Sequence, residues 1–254
     1  MNKVAPVTAF FWVMKICATT LGETAGDLLS MTMSVGYALS SVILISAFLL
    51  TAAFQVRSKS FHPALYWSVV LLTSTAGTTM SDFMDRTLAL GYARGSLIMI
   101  SCLAVVLAVW RLSEKTLSVS NIQSTRSELF YWAAILCSNT LGTALGDFLA
   151  DNSGLGFLGG AALISALLGM VLAATFYTKL SRIALFWIAF VLTRPFGATF
   201  GDLLTKPIEK GGLNLGTVGS SIVLAGLLVA FIWYTSRKDR RQFVISGDRA
   251  LEKR

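Results

Sequence analysis

Four times along the chain a tryptophan is followed fifteen residues later by an aspartate: Trp12 and Asp27, Trp67 and Asp82, Trp132 and Asp147, Trp187 and Asp202. Each copy carries a glycine ten residues after its Trp, at Gly22, Gly77, Gly142 and Gly197. A small residue precedes each Asp, at Gly26, Ser81, Gly146 and Gly201, and another glycine falls nine residues after it, at Gly36, Gly91, Gly156 and Gly211. A fixed period constrains the architecture before any local propensity does, because each repeat is one structural unit stacked on its neighbours. The Asp-to-Asp spacings are 55, 65 and 55, so copies one and three, like copies two and four, stand 120 residues apart. That is the pattern of a duplicated pair.

What the repeats are made of decides their solvent. The chain is 55% hydrophobic and 13% charged, against about 25% charged in a soluble domain. Mean hydropathy is +0.70. Residues 28–56 carry no charge, and 96–110, 152–178 and 213–236 behave alike. The expectation is an all-α polytopic membrane protein. Lys15 interrupts the first apolar run, which belongs to a repeat, so a cleavable leader is not expected. Cys17, Cys102 and Cys137 all lie in apolar segments and read as small buried hydrophobes rather than a disulfide framework.

Each repeat reads as two spanning helices, eight in all. The motif helices cover about 4–30, 61–84, 129–150 and 183–204; the plainly apolar ones cover about 37–56, 92–111, 156–178 and 213–235. Each approaches the roughly 20 residues that cross a bilayer. One transmembrane domain then spans 1–236, with repeats at about 4–58, 59–113, 124–178 and 179–235. A basic, mobile cytoplasmic tail follows over 237–254. Fifteen of 21 Lys and Arg lie at the N-terminus, after the even helices or in the tail, which puts both termini in the cytoplasm. The net charge of +8 therefore serves membrane orientation; the partner is the lipid bilayer, not nucleic acid. Two helices per repeat make the repeats parallel, so all four Asp lie at one depth, in the outer third of the bilayer.

On a helical wheel Thr20, Glu23, Thr24 and Asp27 share one face. Thr75, Thr78, Thr79 and Asp82 repeat it, as do Thr140, Thr143 and Asp147; repeat four keeps Thr199 and Asp202 but has Pro195 and Ala198. Gly22, Gly26, Gly77, Gly142, Gly146, Gly197 and Gly201 lie mostly off that face, as small-xxx-small packing positions. Four such helices around one axis would line a polar cleft closed by an acidic ring of Asp27, Asp82, Asp147 and Asp202, with Glu23 beside Asp27. Carboxylates and hydroxyls are hard ligands, suited to a divalent cation or to protons, and intramembrane carboxylates commonly carry ions. The competing role is structural, each Asp capping a helix or pairing with Arg86, Arg94 or Lys206.

Lys15 and Arg194 each sit within a spanning helix, where a cation costs about 2.5–3.5 kcal/mol on insertion scales. Lys15 is expected to reach a repeat carboxylate or to snorkel toward the cytoplasm, the alternative being an internal counter-ion that leaves when a cation binds. Arg194 is either an internal counter-ion or one half of a salt bridge. Arg194-Pro195 predicts a kink or break in helix seven. The repeat Trp sit nearer the cytoplasmic half, as an interfacial belt or as packing wedges. No catalytic pairing of Ser or Cys with His, no HExxH and no phosphate loop is legible, so an enzyme is not expected.

The opening Lys-Val-Ala-Pro-Val-Thr-Ala-Phe-Phe-Trp, followed by Thr-Thr-Leu-Gly-Glu-Thr-Ala-Gly-Asp, resembles a family of bacterial uncharacterised membrane-anchored proteins over residues 3–235. The resemblance implies a fourfold tandem repeat of unknown function, two transmembrane segments and a Trp per repeat, in the bacterial inner membrane. Glu23-Thr24-Ala25-Gly26-Asp27 is more weakly similar to the E-x-G-D signature of Ca²⁺/Mn²⁺–proton antiporters, with one extra residue and no basic residue after the Asp. Two functions follow as expectations: a cation transporter or channel, divalent or proton-coupled, or a non-transporting scaffold or sensor whose Gly and Asp serve helix packing.

Overall fold

The computed structural model of the protein describes residues 3–119, 122 and 124–251. Among them there are eight α-helices and no strand: α1 (Ala9–Asp27), α2 (Tyr37–Arg57), α3 (Pro63–Asp82), α4 (Gly91–Glu114), α5 (Thr125–Asp147), α6 (Gly156–Tyr177), α7 (Arg182–Thr205) and α8 (Thr217–Leu251). Six of these are long and apolar enough to cross a membrane: α2, α4, α5, α6, α7 and α8. The other two, α1 and α3, are 19 and 20 residues long and carry the polar residues of their repeats.

The odd helices form a closed ring. α1 packs against α3, α3 against α5, α5 against α7, and α7 back against α1. The even helices form an outer layer, with only 17–22% of their apolar windows buried against 61% and 50% in α5 and α7. Each outer helix lies on the inner helix of the following repeat: α2 on α3, α4 on α5, α6 on α7, and α8 on α1. The last repeat thus covers the first.

The repeat motif explains the local geometry. α1, α3 and α5 each end on the motif Asp and run on into a π-helical turn, Leu28–Thr32, Phe83–Thr87 and Phe148–Asn152. The chain then reverses through the glycine nine residues after the Asp. Gly36, Gly91, Gly156 and Gly211 all hold positive φ, from 66° to 83°, where a side chain would be strained. Repeat four differs: α7 stops at Thr205, before Lys206-Pro207 and a short 3₁₀ turn, Ile208–Lys210.

The glycine ten residues after each Trp sits where two inner helices touch. A methyl group on Gly77 would meet backbone atoms of Asn139 and Thr140 at 2.9 Å, and one on Gly197 would meet Thr19 Oγ1 at 2.6 Å. Gly22 lies equally close to Ser74, and Gly142 to Arg194. Gly26, Gly146 and Gly201 abut Thr78, Ala198 and Glu23 in the same way.

Three expectations need correction. Residues 237–251 continue α8, so the boundary set at 236 falls inside a helix; this stretch holds four Arg and no proline, both compatible with a helix. Pro195 does not break α7. Of the cysteines, Cys17 is buried, but Cys137 is only partly so and Cys102 lies exposed on the outer layer. The repeat Trp act as packing wedges rather than a belt: Trp67, Trp132 and Trp187 are buried within a continuous aromatic cluster that includes Phe11, Tyr66 and Phe190.

A buried column of charge on the bundle axis

Stepping back from each Asp in fours gives the residues on the inner face of the ring. The Asp layer is Asp27, Asp82, Asp147 and Asp202. Below it come Glu23, Thr78, Thr143 and Ala198, then Thr19, Ser74, Asn139 and Arg194, then Lys15, Val70, Ile135 and Phe190. All sixteen are between 0 and 4% exposed. The contacts show that they meet in the middle. Lys15 on α1 reaches across the ring to Asn139 on α5. Arg194 on α7 touches α1, α3 and α5.

Of the hydroxyl stripe expected beside the carboxylates, Thr78 and Thr143 are on this face and the others turn away. Thr24 Oγ1 accepts from Ser221 on α8 at 2.9 Å, so it faces the outer layer. Thr75, Thr79 and Thr140 donate to carbonyls of their own helices, and Thr20 is buried with no hydrogen-bond partner for its hydroxyl. The reason is geometric: one residue's step is 100° of rotation. Residues 20 and 24 therefore turn away when 19 and 23 face the axis. Beside the expected Thr78 and Thr143, the axial polar residues are Thr19, Ser74 and Asn139, which the wheel did not give. Aligning the four copies and reading every fourth residue back from the Asp would have found them.

The Asp layer is bridged twice. Arg86 Nε lies 2.8 Å from Asp82, and its Nη2 lies 3.5 Å from Asp147. Lys206 lies 2.5 Å from Asp27 and 3.1 Å from Asp202. Arg86 and Lys206 each follow their own Asp by four residues and stand 120 apart, so the two bridges obey the internal duplication. Burial pulls the Lys206 ammonium's pKa down; Asp202 and Asp27 outweigh that and hold it above the ordinary lysine value. Arg94 makes no ion pair among the described residues.

One layer down, Arg194 Nη2 lies 2.9 Å from Glu23 Oε2. Lys15 corrects its expectation. It is fully buried, so it does not snorkel, and it makes no ion pair among the described residues. Its ammonium lies 3.4 Å from Asn139 Oδ1 and 4.0 Å from the centre of the Phe190 ring. Residue 15 is eight positions below Glu23, about 12 Å of helix, which places it beyond salt-bridge distance of that carboxylate.

Carboxylate oxygens of Glu23, Asp147 and Asp202 all lie within 4.8 Å of one another. Five buried carboxylates (Glu23, Asp27, Asp82, Asp147, Asp202) share three cations (Arg86, Arg194, Lys206) in these pairs. Fully ionised, the cluster keeps two negative charges. A metal ion with hard-ligand preference, or protons, would balance them. Toward the other end the axis is closed by aromatic side chains, where the Tyr66 and Tyr131 hydroxyls meet at 2.6 Å.

Comparison with known proteins fits this fourfold geometry. The model of a family described as Repeat of Unknown Function (DUF347) matches residues 10–61, 65–116, 130–181 and 185–241, and the chain belongs to that family. No curated protein and no solved structure matches it.

Proposed function

We propose that this member of the repeat family binds and moves cations across a membrane, with the Asp layer and Glu23 as the ion site and this conformation as a closed one. The observation that carries the reading is the charge imbalance of the Asp layer with Glu23: five buried carboxylates and three paired cations, three of the carboxylates within 4.8 Å of one another. Helix packing alone does not call for such a column, because replacing buried ion pairs by well-packed apolar residues is often neutral or stabilising. Intramembrane ionisable residues are by default functional candidates. The cargo class is a divalent cation or protons, and the chain is not an enzyme on this reading.

The same reading takes all eight helices as spans. α1 and α3 fall short on apolar composition because their polar faces turn to the axis, while α5 and α7 flank them in the same ring. Both termini are then cytoplasmic, in a bacterial inner membrane, and Arg86 and Lys206 close the outer end of the axis.

One observation favours the alternative, a scaffold or sensor without transport: every axial layer is filled, and the sixteen side chains are no more than 4% exposed. Single Asp→Asn variants of Asp27, Asp82, Asp147 and Asp202, reconstituted in liposomes, separate the two. Transport requires flux to fall while folding is kept. A scaffold role requires parent-like behaviour of all four or loss of folding without any ion-dependent phenotype.

A further inference from the structure

The second nitrogen of the Arg194 guanidinium occupies a cage made only of oxygens. Around Nη2 lie Glu23 Oε2 at 2.9 Å, Thr78 Oγ1 at 2.5 Å, Thr143 Oγ1 at 2.6 Å and the Ser74 carbonyl at 3.4 Å. The four oxygens come from α1, α3 and α5, and the cation comes from α7, so all four repeats meet at this point. Glu23, Ser74, Thr78, Thr143 and Arg194 are all between 0 and 3% exposed.

The hydroxyls are arranged as acceptors. Thr78's own proton has the Ser74 and Gly22 carbonyls at 3.2 Å and Glu23 Oε2 at 3.3 Å as acceptors, and Thr143 spends its proton on the Asn139 carbonyl. Their lone pairs are free to face a positive charge. The other guanidinium donors, Nε and Nη1, are buried without a hydrogen-bond partner. An arginine chosen for a bidentate carboxylate pair would use its planar fork. This one presents a single nitrogen to a point cage and leaves the fork idle.

Repeat symmetry makes the exception visible. The positions equivalent to Arg194 hold Thr19, Ser74 and Asn139, and those equivalent to Glu23 hold Thr78, Thr143 and Ala198. One acid and one base therefore depart together from otherwise neutral layers, and they meet.

We infer that the oxygen cage of Glu23, Thr78, Thr143 and the Ser74 carbonyl is a site for a small monovalent cation, and that Arg194 is its covalently tethered occupant. One carboxylate with three neutral oxygens balances one positive charge; a divalent ion would leave a surplus charge in a dry interior. Withdrawing the guanidinium opens the cage to a free ion, and cutting the side chain back to the serine found at the equivalent position does the same. This inference needs no transport; it shares Glu23 with the proposed ion site but none of the four Asp, so Asp→Asn variants leave the cage itself unchanged.

The test is thermal unfolding of Arg194→Ser in detergent, titrated with sodium chloride or with millimolar guanidinium chloride against choline chloride of equal strength. The tethered-cation account predicts a melting temperature that climbs by roughly 5 °C toward saturation with sodium or guanidinium and not with choline. The parent should show no such cation-specific rise, and adding Glu23→Gln to Arg194→Ser should abolish it. A variant that responds alike to all three salts, or a double variant that still prefers sodium or guanidinium, overturns the site. Where Arg194→Ser alone fails to fold, Arg194→Lys keeps the tethered charge and Glu23→Gln with Arg194→Ser removes both charges. Folding of these two supports the charge-matched cage, and loss of both overturns it.

Discussion

Lys15 carries a charge into the centre of the bundle and, among the described residues, meets an amide oxygen and an aromatic face there but no carboxylate. Its repeat equivalents are Val70, Ile135 and Phe190. If it serves packing alone, Lys15→Met should hold or raise the melting temperature, since it exchanges a poorly partnered ammonium for an apolar chain of similar length. A fall as large as that of Arg194→Ser would show that the ammonium itself holds the ring. The glycines give a second residue-scale prediction. Gly142→Ala forces a methyl group against Arg194 and Pro195 and should cost about 1–3 kcal/mol of stability. Gly169, in the interior of α6, has nothing within 4 Å of its would-be methyl, so Gly169→Ala should be neutral or stabilise by about 0.5–1 kcal/mol. Parallel melts in one detergent decide it; equal effects at both sites would remove the close-approach account of the motif glycines.

Among the elements, the outer layer is offset by one repeat. Because α4 rests on α5 and α8 on α1, neither half of the chain closes on its own. Split in the connection near residue 120, the two halves should assemble when produced together and should be unstable when produced apart. Two halves that each fold as monomers would contradict the offset. Much of this level was legible in the sequence: helix positions came from apolar run length, and the ring from the common Trp, Gly and Asp spacing. The offset was not, since nothing in a repeat's own residues says which neighbour its second helix will cover. The axial face was misjudged by one residue for a related reason. A wheel drawn for an isolated helix ranks Thr20 and Thr24 beside Glu23 and Asp27, whereas in the ring the i to i+4 ridge of 15, 19, 23 and 27 faces inward. Two charged exceptions to the repeat, Glu23 and Arg194, were visible in the sequence; their meeting required α7 to be set beside α1.

At the scale of the whole molecule the apolar outer layer, the closed inner ring and the charged axis describe one object, a bundle whose polarity is turned inside. Eight crossings with both termini cytoplasmic predict that single cysteines at 59, 116 and 180, in a background with the native cysteines removed, are labelled from the cytoplasmic side. Cysteines at 34, 89, 153 and 210 should be labelled from the outside. Two consecutive connections labelled from one side would reduce the count of spans. Within that frame the central claim is that the surplus negative charge of the Asp layer exists for cations. The most direct measurement is uptake of divalent cations and protons by liposomes holding the parent or single Asp→Asn variants, with folding verified for each protein. The account predicts flux in the parent and a loss of tenfold or more in folded Asp147→Asn and Asp202→Asn. These two carboxylates converge with Glu23. Absence of flux in the parent, or parent-like flux in all four folded variants, would contradict it.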